Sequence, residues 1–229
     1  MISVITCVND FDEYNKNIKL DDAELIPIDN TESKYSAAQA LNLGIDQASN
    51  DVVVCCHQDV VFPKDWAKKL YINIEKAKKI SRNVGVLGTA GVLNTGAKRG
   101  YMQDGNYGYW NEDGNRFGPC QTLDESCLIF EKSSGLRFDE LFNHFHFYGA
   151  DLCLQANNKR LLNFGIDASI IHYSGGGESS MGEGRKIFER EMRKLKKKWI
   201  HIVPKIWTTT VVLSPQREAI LADYIRRKK

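Results

Sequence analysis

Val52-Val53-Val54-Cys55-Cys56-His57-Gln58-Asp59 is the stretch that decides the fold, because five consecutive apolar residues give way at once to three polar ones. An unbroken apolar run of this kind fits a strand covered on both faces, as in a sheet flanked by helices. Working back, Ser49-Asn50 marks a turn. Before it, residues 35–48 place Ala37, Ala40, Leu41, Gly44, Ile45 and Ala48 at the three-and-four spacing of one helical face. Residues 2–8 and 24–28 read as earlier strands, the first broken by Asn9-Asp10 and the second ended by Asp29-Asn30-Thr31. Working forward, Pro63 opens a helix with Trp66, Leu70, Ile74 and Ala77 on one face, and residues 84–88 read as a further strand. This alternation predicts a doubly wound α/β architecture with a mostly parallel central sheet. Ligands of such sheets bind beyond the carboxyl ends of the strands, where Asp10, Asp29 and Asp59 fall.

With 229 residues, 42% hydrophobic and 26% charged, the chain suits one domain with a short appendage and can bury a core without disulfides. A net charge of +2 argues against wholesale nucleic-acid binding. The six cysteines form no Cys-x-x-Cys pair, and adjacent Cys55 and Cys56 point to opposite strand faces. They read as small buried residues of a reducing compartment rather than disulfides or a zinc site. Residues 2–5 are already strand-like with no basic leader, and no apolar run nears the roughly 18 residues of a membrane helix. The expected location is therefore the cytoplasm.

The second half is less regular. Residues 91–119, rich in Gly, Asn, Tyr and Trp, follow neither period and read as a long surface loop. Strand pattern returns over 122–131, a helix follows over about 150–160, and an apolar strand ends at Ile170-Ile171-His172. Beyond a glycine-rich tract from Ser174, residues 185–199 set Phe188, Met192, Leu195 and Trp199 in a helical stripe among eight Lys and Arg residues. That basic amphipathic helix either packs against the domain or contacts an anionic membrane surface. The chain closes on Arg226-Arg227-Lys228-Lys229.

A carboxylate just past a buried strand, such as Asp59, can hold a hard divalent cation that bridges to a diphosphate. It can equally cap a strand-end turn. The order of several fragments carries the first reading. Asn42-Leu43-Gly44, the apolar strand and His57-Gln58-Asp59 resemble the run in family-two-like GT-A glycosyltransferases in which a helix with Asn-x-Gly leads to an Asp-x-Asp metal motif. Residues 2–10 look like that family's first strand, and Ile28-Asp29-Asn30-Thr31 is similar to its second-strand acidic turn. Phe138-Asp139-Glu140, residues 147–154 and Ile170-Ile171-His172 follow in the family's order, so the resemblance spans about residues 1–175. Two positions depart from it: His57 stands at the first acidic position, and Ala150 precedes Asp151 where the family carries a Glu-Asp pair.

The resemblance implies a GT-A domain over residues 1–175, with residues 176–229 forming a flexible lid and a basic C-terminal helical extension packed on it. The implied activity is transfer of a hexose-like sugar from a nucleoside-diphosphate sugar, UDP-sugars favoured, to a hydroxyl on a glycan, a lipid-linked molecule or a protein. It implies inversion, in polysaccharide or glycoconjugate synthesis, with Mn2+ or Mg2+ as cofactor. Asp59 and His172 would hold the metal, and Val8, Asp29, Tyr35, His57, Gln58 and Asp59 would line the donor pocket. Asp124 and Trp110 would meet the acceptor, with Glu125 beside them, and Tyr107 and Tyr109 could stack on a sugar ring. Asp151, in the first turn of its helix, would take the acceptor's proton, unless it merely caps that helix. Two rivals stay open: a catalytically silent nucleotide- or carbohydrate-binding domain, and a metal-dependent hydrolase on His57 and Asp59, which lacks the further ligands of a two-metal site.

Overall fold

The computed structural model describes residues 1–105, 108–173, 182–216 and 218–220. Its centre is a seven-stranded sheet of β1 (Ile2–Val8), β2 (Ala23–Asp29), β3 (Val52–Cys56), β4 (Val84–Gly88), β5 (Gly118–Cys120), β6 (Cys127–Glu131) and β7 (Leu162–Gly165), in spatial order β5-β7-β4-β6-β3-β1-β2. β2, β1 and β3 run parallel, as do β4 and β7, while β6 and β5 run against their neighbours. The mostly parallel α/β sheet is as expected.

The apolar run of β3 sits between two cores because successive side chains take opposite faces. Val53 and Cys55 join the cluster under α2 (Ala37–Gln47), α4 (Tyr148–Asn158) and α5 (Gly182–Trp199). Val54 and Cys56 join the other, under α1 (Phe11–Asn17) and α3 (Trp66–Ile80). Ser36 starts α2 with a capping box, its hydroxyl accepting from the Gln39 N–H while the Gln39 side chain accepts from the Ser36 N–H. Inside α2, a Cβ on Gly44 would lie 2.2 Å from Ile5 Cγ2, so only glycine lets the helix lie this close to β1. Asn42 clamps the Phe138 backbone, donating to its carbonyl at 2.9 Å and accepting from its N–H at 3.0 Å. The Asn-x-Gly pair is therefore a packing device.

Four expectations need correction. Asn9-Asp10 does not simply break the chain, because Asp10 accepts from the Asp12 and Glu13 N–H groups and caps α1. Residues 91–119 form short strands, among them Lys98–Gly100, Met102–Asp104 and Gly108–Trp110, rather than a plain loop. The strand expected to end at His172 is two pieces: β7, and Ile171–His172 in another sheet. The extension is not only helical, since α5 leads into a three-stranded sheet of Ile206–Trp207, Val211–Leu213 and Glu218–Ile220. α5 buries Phe188, Met192, Leu195 and Trp199 in the core shared with α2 and α4. Tyr107, most of the glycine tract (174–181) and Arg226–Lys229 lie outside the described residues; Gly182 and Gly184 belong to the first turn of α5. Among the described residues, no helix is long and apolar enough to cross a membrane.

Candidate active site

Past the carboxyl end of β3, Val60–Val61 pairs antiparallel with Ile171–His172, which pairs parallel with Met102–Asp104. This ladder sets Val60 opposite His172 and His172 opposite Asp104, and so gathers three distant segments around one point. His57 Nδ1 lies 3.2 Å from His172 Nε2, and His57 Nε2 lies 3.0 Å from the Tyr148 hydroxyl. Asp59 Oδ1 is 3.3 Å from His172 Nε2, and Asp104 Oδ2 is 3.7 Å from His172 Nδ1. One ligand atom each from His57, Asp59 and His172 lies within 4.8 Å of the others.

The electrostatics place one positive charge, on His172, where a cation would fit. Burial lowers the pKa of His57 to about 4, and neighbouring His172 pushes in the same direction. Burial also resists charge on His172, but the Asp104 and Asp59 carboxylates outweigh it and raise that imidazole to about 10. Asp59 is held below the usual carboxylate range: burial opposes this, and the two histidines prevail. Asp59 Oδ1 and His172 Nδ1 are buried without a hydrogen-bond partner. Buried polar atoms are rarely left so, and two imidazoles and a carboxylate form a mixed nitrogen–oxygen donor set suited to a first-row divalent ion. The residues fit a metal.

The wall beside this cluster comes from β1, β2 and the start of α2. Buried Asn30 accepts from the Tyr35 N–H at 2.8 Å, donates to the Tyr35 carbonyl at 3.0 Å and gives its own N–H to the Val8 carbonyl at 2.7 Å. It thus brings Val8, Asp29 and Tyr35 together at one sheet end. Asp29 forms a turn by accepting from the Thr31 N–H and hydroxyl. The Val8 side chain is wholly buried, so this residue offers the wall only its backbone.

Gln58, expected to touch the donor, is already engaged. Its amide oxygen accepts from the Asn9 and Asp10 N–H groups, and its nitrogen donates to Asn9 Oδ1 and Glu13 Oε2. It staples β3 to the turn before α1. Trp110, expected at the acceptor, pairs with Met102 at the end of its hairpin away from Asp104. Its indole N–H is bonded to the Arg99 carbonyl and the Lys98 ammonium lies 4.4 Å from its ring centre, so it is not an open platform. Tyr109 stacks on Tyr101 at 5.7 Å.

Asp151 shows the largest departure. It is fully buried and accepts from Trp199 Nε1 at 2.5 Å, Gln155 Nε2 at 2.7 Å and Lys198 Nζ at 2.8 Å. A carboxylate sealed this way anchors α5 and is closed to an acceptor hydroxyl. Two further carboxylates, Asp124 and Glu125, stand just before β6, next to Ser126, whose carbonyl accepts from the His57 N–H. Asp124 accepts from the Ser126 N–H and the Thr209 hydroxyl, and its charge favours the protonated form of both histidines. Glu125 Oε1 accepts from the Gly149 N–H at 3.2 Å, at the start of α4. Its Cγ stands 2.7 Å from where a Gly149 Cβ would be, so Glu125 fills the space left by the bare glycine. Burial, reinforced by Asp124, raises its pKa to about 8 against the backbone N–H groups that oppose the shift.

Phe147, which precedes α4, adopts a left-handed backbone at φ 66°, a costly conformation for an aromatic residue. Phe188 of α5 lies 4.9 Å from its ring and helps hold it. That turn presents Tyr148 to His57. Tyr148, Asp104 and Asn30 were not singled out from sequence. Asp104 carries no local signal, and the other two lie in stretches that carried the family resemblance without being assigned a role.

Comparison with known proteins places the chain in a family. A curated protein described as ATP synthase subunits region ORF 6, from Fuscovulum blasticum, is 26% identical over 215 residues, covering 87% of this chain and 84% of its own. The crystal structure of S. aureus TarS 1-349 superposes with a TM-score of 0.52 at 13% identity over 87% of this chain. GalNAc-T7 with UDP, GalNAc and Mn2+ does so with a TM-score of 0.55 at 11% identity, also over 87%. The chain spans 65% and 48% of the lengths of these two proteins, and the likeness establishes a GT-A fold. The family profile described as Glycosyl transferase family 2 matches residues 7–131, more than half of the sequence. The chain therefore belongs to glycosyl transferase family 2 and is a glycosyltransferase.

Proposed function

We propose that this enzyme moves a sugar from a nucleoside-diphosphate donor, UDP-sugars favoured, to an acceptor hydroxyl with inversion and with help from a divalent cation. The observation that carries this reading is the convergence of His57, Asp59 and His172 past the carboxyl end of β3, with Asp59 Oδ1 buried and 3.3 Å from His172 Nε2. GalNAc-T7 was captured with UDP, GalNAc and Mn2+ on the same fold, which supports the choice of donor and of Mn2+ or Mg2+. Residues 1–175 would carry both substrate sites, with residues 176–229 packed on them.

Asp59, His172 and His57 would hold the cation, which supplies positive charge to a diphosphate leaving group. The wall formed by the Val8 backbone, Asp29 and Tyr35 would take the nucleoside. Asp124 would orient the sugar or acceptor. Glu125 takes the role expected of Asp151: its carboxylate accepts the acceptor's proton as that oxygen bonds to the anomeric carbon and the bond to the diphosphate breaks. A single displacement of this kind inverts the carbon. A pKa near the working pH suits a base, because it combines adequate basicity with a usable deprotonated fraction.

Release of nucleoside diphosphate from a panel of nucleotide sugars, with Mn2+ and simple glycan acceptors, tests this directly. Glu125→Gln is expected to lower the rate by about 10²–10⁴ while leaving donor binding intact. Donor binding without turnover in the wild type, across the panel, would favour the catalytically silent binding domain.

A further inference from the structure

A second feature of this molecule lies outside the transfer site. Six of the eight cations of α5 fall on two faces. Lys194 turns inward to the Leu141 carbonyl at 2.8 Å and Asn143 Oδ1 at 2.6 Å, and Lys198 to Asp139 at 2.6 Å and Asp151 at 2.8 Å. Those contacts fix the helix. Lys186, Arg190, Arg193 and Lys197, spaced four, three and four residues apart, are all exposed and form one outward stripe. Glu183 pairs with Lys186, Glu189 with Arg193, and buried Glu191 with Arg190 as well as Lys194, but they offset the stripe only in part, since the helix carries eight cations against three carboxylates.

Exposed apolar residues accompany the stripe. The segment gripped by Lys194 and by the contact between Arg190 and His144 carries Leu141 and Phe145, 52% and 49% exposed. Ile202, 58% exposed, follows directly after the helix, where its N–H bonds the Trp199 carbonyl. Cations mixed with protruding apolar side chains match a surface that is anionic outside and hydrocarbon within. A nucleic acid would match the charge but leave the apolar residues without a use.

We propose that the outer face of α5, with Leu141, Phe145 and Ile202 at its margins, docks the enzyme onto an anionic phospholipid bilayer. The segment bearing Leu141 and Phe145 runs straight into Phe147 and Tyr148 at the transfer site, so docking places that site next to the lipid surface. The proposal stands on these surface residues and does not depend on the donor or the metal.

Co-sedimentation of the whole protein with phosphatidylcholine vesicles, or vesicles of phosphatidylcholine and phosphatidylglycerol in equal parts, tests it. Binding is expected only to the anionic vesicles and should weaken as salt is raised. Replacing Lys186, Arg190, Arg193 and Lys197 together by Gln should weaken it by roughly 10³-fold, about fivefold per cation. Phe145→Ser should weaken binding in high and low salt alike. Nucleotide-sugar turnover with a soluble acceptor should be unchanged in both variants, which also shows that they fold. The proposal is overturned if the wild type ignores anionic vesicles at low salt, if the fourfold variant binds them as well as the wild type, or if the stripe binds nucleic acid and not lipid.

Discussion

Asp151→Asn separates a base from an anchor. The change preserves side-chain volume but removes the negative charge that meets Lys198 and leaves one acceptor oxygen in place of the two that serve Trp199, Gln155 and Lys198. Removing one partner of a buried ion pair costs about 3–5 kcal/mol. Here Lys198 is 26% exposed and keeps Asp139 at 2.6 Å, and the Asn oxygen can still accept one bond, so about 2–4 kcal/mol is a better figure. For a chain of this size, that lowers the melting temperature by about 4–16 °C. The anchor predicts a matching rise in protease access around α5, with turnover per folded molecule within a few-fold of the wild type well below the melting range. Lys198→Met in the Asp151→Asn background should recover part of the loss, because two mutually dependent charges then leave together. The reasoning is refuted if Asp151→Asn melts with the wild type and yet loses turnover by orders of magnitude.

Three further outcomes follow from the site and the packing. If Glu125 is the base, kcat/KM should rise with pH and level off above about 8, since the deprotonated form is the active one; Glu125→Gln should remove that limb of the profile. Asp104 contacts His172 without belonging to the three candidate ligands, so Asp104→Asn should weaken Mn2+ affinity by about 10–100-fold in a metal titration and leave the fold intact. Gly44→Ala forces a methyl group to 2.2 Å from Cγ2 of Ile5, which is fully buried; it should cost about 1–3 kcal/mol in denaturant melts, and less than that when made in an Ile5→Ala background, where Cγ2 is gone.

What could be read from sequence follows the range of the interactions involved. Val52–Cys56 declared a doubly covered strand because burial on both faces is written into consecutive apolar residues, and Asp59 could be placed at its end by counting. Asn42 and Gly44 carried the family resemblance, and the structure explains why those residue types stand there. Asp104 was hidden, because its nearness to His172 comes from a short ladder between segments about 70 residues apart, with no local signature. Gln58 and Trp110 were misplaced since their position suited a ligand, whereas the bonds that already occupy them come from the turn before α1 and from Arg99. Asp151 was misread for a related reason. Helical position can be read locally, but the return of α5 to cover it cannot. Asp10 had the residue chemistry of a turn, and that same chemistry starts α1.

Calorimetric titration of UDP, with Mn2+ and then with chelator, tests the central claim most directly. UDP should bind the wild type only with the metal, and both Asp59→Ala and His172→Ala should abolish that metal-dependent binding while melting as folded proteins. UDP binding that is indifferent to metal, to Asp59 and to His172 would contradict the assignment of this cluster as the donor's metal site.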